Sequence, residues 1–258
     1  MSSATMAPTA ERYRSLRRYN LIAAVVHAAQ AIAVLALATS FSLPVTGTFL
    51  AGPPGTPGET VGLFDVRVGL AVAGFLALSA LFHVIVSVPG AFTRYTGGLQ
   101  RKTNVFRWVE YSLSSSLMIV LIAMITGIAD IAALLAIFGV NASMILFGWL
   151  QEKYHQPGDG GWLPFIFGCL AGIVPWLAVV IYVLAPGSTS GAEPPAFVYG
   201  IIVSLFLFFN VFALVQWAQY RQVGRFRDYL VGERTYITLS LVAKSLLAWQ
   251  VFGGTLAP

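Results

Sequence analysis

Apolar residues fall into seven long runs, at about 20–40, 66–89, 105–127, 131–150, 162–185, 196–219 and 235–254, with polar and helix-breaking residues confined to the connectors. A helix rises 1.5 Å per residue, so roughly 20 apolar residues cross the hydrocarbon core of a bilayer. Each run is long enough to span. The pattern predicts an all-α membrane protein, one seven-helix domain over residues 1–258. Breakers mark the connectors: Gly52-Pro-Pro-Gly-Thr-Pro-Gly58 after the first span, Gln156-Pro-Gly-Asp-Gly-Gly161 after the fourth and Pro186-Gly-Ser-Thr-Ser-Gly191 after the fifth. The first is the longest outer connector and would permit a small surface hairpin. About twenty polar residues precede the first run, which reads as a retained helix rather than a cleaved leader.

Composition agrees: 57% of residues are hydrophobic, 10% are charged, and the mean hydropathy is +0.79. The basic surplus sits in short connectors, and no basic-aromatic groove for nucleic acid is visible. The single cysteine, Cys169, lies in an apolar run, excludes a disulfide framework and is expected to be buried and inert.

Charge fixes the expected orientation. Arg12, Arg14, Arg17 and Arg18 precede the first span; Arg94, Arg101, Lys102 and Arg107 join the second to the third; Lys153 joins the fourth to the fifth; Arg221, Arg225, Arg227 and Arg234 join the sixth to the seventh. The opposite side carries Arg67 with Glu59, Asp65, Asp130 and Glu193. The positive-inside rule then places the N-terminus in the cytoplasm and the C-terminus outside a multi-pass protein of the cell membrane.

Inside the spans the ionisable candidates are His27, His83, Glu110 and Lys244. Lys244 is the most informative, because a cation near a bilayer centre costs on the order of 3 kcal/mol or more. It lies about 15 Å beyond Arg234, Glu110 about 12 Å beyond Lys102, and His27 about 14 Å beyond Arg18. Helical side chains lean toward the N-terminus, so the ammonium should drop toward Glu110, and all four groups can share one layer in the cytoplasmic half. Ser240, Ser114 and Ser79 each stand four residues from Lys244, Glu110 and His83, on the same helix face. These residues leave two readings open. Lys244 and Glu110 could be an ion pair gluing two helices; alternatively, a desolvated lysine can condense with an aldehyde, and the iminium needs a nearby carboxylate.

A seven-helix chain with a mid-membrane lysine in its last helix resembles a retinal-binding rhodopsin. More narrowly, Ser240-Leu-Val-Ala-Lys-Ser-Leu-Leu-Ala-Trp-Gln-Val-Phe252 and Arg107-Trp-Val-Glu-Tyr-Ser-Leu-Ser-Ser-Ser116, with the cytoplasmic N-terminus, resemble the heliorhodopsins over all seven helices. The resemblance implies a bundle of rhodopsin type in which Lys244 carries all-trans retinal as a protonated Schiff base. Glu110 would be the counterion, Ser240 would replace a second acidic counterion, and His27 and His83, with Ser79, would accept the proton. It also implies a homodimer, for which Gly139, Gly148, Gly168 and Gly172 would allow close helix contact.

A retinal would need a flat apolar slot. Phe206, Phe209 and Gln216 share one stripe of the sixth span; Asn141 and Ile145 come from the fourth, Tyr111, Ser114 and Ser115 from the third, and Pro175 and Trp176 from the fifth. Trp108, Trp149, Trp162 and Trp217 read as interface anchors.

Outward of Glu110 and Lys244 the third and seventh spans offer no further carboxylate until Asp130 at the boundary. That favours internal proton movement over transport, hence a light-sensing photoreceptor with a slow photocycle and a cytoplasmic signalling partner of unknown identity. A light-driven or light-gated ion transporter is the alternative. The connector at 221–234, with Asp228 and Glu233, is a candidate output surface, though it reads more readily as a topology signal facing anionic lipid. A metal enzyme is disfavoured, since His27, His83 and Glu110 lack an i,i+4 ligand pair.

Overall fold

The computed structural model describes residues 10–185, 188, 191 and 193–257; most of the turn expected at 186–191 therefore lies outside the described residues. Ten elements carry the architecture: α1 (Ala10–Leu37), β1 (Ser42–Phe49), β2 (Glu59–Arg67), α2 (Val68–Ile85), α3 (Pro89–Gln100), α4 (Val105–Ile125), α5 (Ile131–Tyr154), α6 (Leu163–Leu184), α7 (Ala196–Tyr220) and α8 (Tyr229–Val251). All of these helices except α3 are long and apolar enough to cross a membrane. Rows of exposed apolar side chains, such as Leu163, Ile166, Leu170, Ile173 and Leu177 on α6, face outward, as lipid contact demands and water would not tolerate.

Helix ends follow local chemistry. Asn104 caps α4 by accepting the Arg107 amide, Asp130 caps α5 through the Ala132 and Ala133 amides, and Asp228 caps α8 through the Leu230 amide. Two ends differ from the apolar pattern. α1 starts ten residues before its apolar run because Tyr13 and Leu16 are buried against α3 and α8 neighbours, and Arg12 pairs with Asp228 at 2.5 Å. α8 likewise begins at Tyr229, not near 235, since Leu230, Gly232 and Glu233 are buried.

The interhelical segment after Pro89 is a helix, α3, where the sequence pattern suggested only a connector. Its glycines and leading proline mask an apolar stripe, Phe92, Tyr95 and Leu99, that packs on the bundle end; proline at the first turn costs no hydrogen bond. At the opposite end the long connector does form a hairpin. β1 and β2 pair antiparallel from Ser42↔Arg67 to Phe49↔Glu59, with a register shift at Val45/Thr46. A lone hairpin is marginal in water. Here Val45 enters the core and the Thr46 amide donates to Ala129 O at 2.9 Å, tying the hairpin to the α4–α5 turn.

α4 packs against α2, α5, α6 and α7 and is the axis of the bundle. Toward the hairpin its core is wholly apolar, with Phe75, Leu76, Met118, Ile119, Ile122 and Leu247 in one cluster. The glycines expected to serve a second copy are mostly used within the chain. A Cβ on Gly148 would meet the Trp108 ring at 2.5 Å, one on Gly168 the Phe147 Cβ at 3.3 Å, and one on Gly172 the Met144 Sδ at 2.5 Å; only at Gly139 is the space open. Small residues there let α4, α5 and α6 close on one another.

Gly148→Ala should therefore lower the thermal midpoint of the detergent-solubilised protein, by overpacking worth about 1–3 kcal/mol. Gly172→Ala, which meets a flexible methionine, should cost less. Equal midpoints for both variants and the unmodified protein would show that the ring and helix can separate freely.

Candidate functional site

The four ionisable groups expected in one layer are brought together. Lys244 on α8 is 3% exposed, and its Nζ donates to Glu110 Oε1 on α4 at 2.6 Å and to Ser240 Oγ at 2.9 Å. Ser79 on α2 puts its hydroxyl 2.7 Å from the same Glu110 oxygen. The Tyr111 ring lies 5.1 Å from Nζ, within cation–π range. One carboxylate oxygen thus serves two donors, and the cation has one acid, one hydroxyl and one aromatic face.

Beside this pair, His27 on α1 and His83 on α2 stack with ring centroids 5.7 Å apart. Asn20 sets the tautomer of His83. Its amide nitrogen donates to Leu16 O, so its oxygen must face the His83 Nδ1 at 2.8 Å and accept the proton carried there. His27 is fully buried, and neither ring nitrogen has a hydrogen-bond partner among the described residues. Nitrogens left so in the interior are available to a proton or a water.

On the other side of Lys244 lies an apolar cavity of about 180 Å³ between α4, α5, α6, α7 and α8. A single water needs only about 10–15 Å³ on this measure, so the space suits a much larger guest. Among the described residues, Lys244 is the one charged residue in its lining. Tyr111, Ser114, Ser115, Ile145, Trp176, Phe206, Phe209, Gln216 and Ser240 all line it, as their positions suggested. Trp176 stands edge-on to both Phe206 and Phe209, at 5.3 and 5.5 Å, and Pro175 precedes it inside α6.

Several sequence expectations need correction. Asn141 does not line the cavity. It is buried behind the wall, where its amide nitrogen donates to Ser115 and Ser116 Oγ at 2.9 and 3.0 Å. Glu110 and Ser79, expected as counterion and proton-side hydroxyl rather than as walls of the slot, line a smaller cavity on the α3 side with His83, Asn20 and Tyr95. Trp108 is a buried wall residue rather than an interface anchor, and Cys169 is exposed on α6 rather than buried. The Ser114 hydroxyl has no hydrogen-bond partner among the described residues, although Ser112, Ser115 and Ser116 on the same helix each donate to a backbone carbonyl.

The largest omission is a second buried charge cluster. Arg107, counted as a connector cation, is 5% exposed and forms ion pairs with Glu152 on α5 and Glu233 on α8. Glu233 also accepts from Tyr95 at 2.9 Å and Asn104 at 2.8 Å, and Glu152 from Trp108 at 2.6 Å and Tyr229 at 3.0 Å. Glu233 is therefore no part of an exposed output surface. Burial, and then the Glu233 carboxylate, push the Tyr95 phenol well above the ordinary tyrosine value, so its hydroxyl remains a donor. The signal for this cluster was present in the polar residues flanking each run, but their helices extend beyond the apolar windows.

Arg107→Met should destabilise by about 3–5 kcal/mol, because it strands two buried carboxylates. Adding Glu152→Gln and Glu233→Gln should recover most of the loss in thermal melts. A triple variant melting no higher than Arg107→Met would remove charge pairing as the cause.

A family model described as heliorhodopsin matches residues 16–256, and the chain belongs to that family. No curated protein matches it. The family is one of retinal-binding, multi-pass membrane proteins. The cavity fits such a group: it is walled by aromatic and aliphatic side chains, has a single amine in its lining, and includes the unpartnered hydroxyl of Ser114.

Proposed function

We propose that this heliorhodopsin is a light-sensing photoreceptor, not an enzyme, in which Lys244 carries all-trans retinal as a protonated Schiff base with Glu110 as counterion. The observation that carries the reading is the placement of Lys244: its amine lies at the junction of an apolar cavity and a carboxylate 2.6 Å away. Retinal supplies light absorption and a change of shape. The chain supplies the proton chemistry. Glu110 holds the positive charge at Nζ, while Ser79 and Ser240 stabilise the pair through their hydroxyls. When the proton leaves Nζ, Glu110 is the first acceptor in reach, and the His27–His83 stack is the next. His83 keeps its Nδ1 proton on Asn20, so its other nitrogen is the accepting one.

The packing supports signalling with a slow photocycle rather than transport. Toward the hairpin, the core around α4 is apolar from Met118 to Met124, and Asp130 is engaged in capping α5. A proton moving that way would meet no titratable stepping stone in this cluster. The cytoplasmic N-terminus is supported by the arginines at the α1, α3 and α8 ends of the bundle. A homodimer is supported by the exposed small residues Ala132, Ala136, Gly139 and Ser143 along α5, and a cytoplasmic signalling partner by the exposed Arg221, Arg225 and Arg227.

Protein expressed with all-trans retinal should acquire a visible band that Lys244→Ala lacks. Glu110→Gln should keep the band but shift it strongly, because the cation loses its single carboxylate. If the Lys244→Ala protein shows the same band as the unmodified one, the photoreceptor reading fails. Illuminated cells in unbuffered suspension should show no sustained pH change; an ionophore-sensitive one would establish transport instead.

A further inference from the structure

The apolar cavity and the buried charge cluster share a wall. Trp108 lines the cavity, donates to Glu152 and lies 4.7 Å beneath the Arg107 guanidinium. Gly148 leaves no room behind its ring. Tyr111 and Phe212 also line the cavity, and both bear on Tyr236, which does not: the Tyr111 hydroxyl donates to the Tyr236 carbonyl at 2.9 Å, and the Phe212 ring stacks on the Tyr236 ring at 6.1 Å. The Arg107 guanidinium sits 4.2 Å above that same Tyr236 ring. None of these rings can tilt without displacing the next, because close-packed interiors transmit strain rather than absorb it.

At Arg107 the line of contacts forks. One guanidinium nitrogen meets Glu152 on α5 and the other meets Glu233 on α8, so one cation ties two helices. Glu233 in turn holds α3 through the Tyr95 hydroxyl. A cation shared by two carboxylates on different helices has two further arrangements, in which it keeps one partner and releases the other. That is the discrete element a coupling device requires.

We propose that Tyr236 and Arg107 form a relay that converts a change of ligand shape in the cavity into a change in how firmly α3 is held to the bundle. The relay rests on the retinal reading and identifies its output as α3, through positioning residues that do not line the cavity. Light shifts Tyr111 and Phe212, the Tyr236 ring follows, and Arg107 is redistributed between Glu152 and Glu233. Loss of the Glu233 pairing loosens Tyr95 and with it α3.

The test is amide hydrogen exchange of the retinal-loaded protein in lipid nanodiscs, dark and under continuous light. Exchange over residues 89–100 should rise at least about twofold on illumination in the unmodified protein. Tyr236→Leu, which removes the ring but keeps the carbonyl, should retain the visible band and lose that response. A band without any light response in α3, or a full response in Tyr236→Leu, would overturn the relay while leaving the retinal reading intact. Absence of the band in the unmodified protein would sink both. Should Tyr236→Leu not fold, Tyr95→Phe removes the hydroxyl by which α3 holds Glu233; loss of the response supports the relay and its persistence overturns it.

Discussion

A cation withdrawn from water costs several kcal/mol unless a carboxylate meets it with good geometry, and this bundle buries two of them, Arg107 on α4 and Lys244 on α8. Lys244 is met by Glu110, and Arg107 by Glu152 and Glu233. Every one of these pairs crosses from one helix to another. Apolar side chains gain little by leaving lipid for one another, so these crossings, with the glycine-permitted close contacts, give α4, α5 and α8 a defined register. The cavity, the polar layer and the placement of α3 follow from that register.

α4 divides two environments that retinal chemistry needs side by side. Its Trp108, Tyr111, Ser115 and Met118 turn toward the apolar cavity, while Glu110 turns toward Ser79 and the histidines. Lys244 joins the two, since it lines the apolar cavity and sets its nitrogen on the Glu110 carboxylate, and Tyr111 borders both cavities. A slot walled mainly by aromatic and aliphatic side chains raises the cost of any stray charge, so the paired Lys244 nitrogen is where charge is best tolerated. The two ends of the bundle are correspondingly unequal. Among the described residues, the buried ionic and histidine groups lie toward the arginine-bearing end, whereas the hairpin end is closed by Phe75, Ile122, Leu247 and their neighbours.

What the membrane solvent dictates was legible in the residues themselves. Seven runs of about twenty apolar positions allow little but seven helices, because backbone groups in lipid must satisfy each other within the segment. An isolated lysine and glutamate in such runs mark a pair, and four-residue spacing identified Ser240 as the neighbour of Lys244. The cavity residues Tyr111, Ile145, Trp176, Phe206, Phe209 and Gln216 were likewise found from helix faces pointing at that lysine.

Tertiary structure decided what depends on relations between helices. Whether Asn141 lines the cavity or braces Ser115 behind it turns on rotation of α5 about its axis, which a stripe of mixed residues leaves open. Gly148 is committed to Trp108, and Gly172 to Met144, rather than to a second copy, because α4 lies against the Gly148 face of α5 and α5 against the Gly172 face of α6. Arg107 and Glu233 read as connector charges because each stands within the first turns of a helix, and only the approach of α3, α5 and α8 closes water away from them. Helical period and burial cost are properties of a segment; the partner that relieves a buried charge lies up to 134 residues away along the chain, as Glu110 does from Lys244, and only folding chooses it.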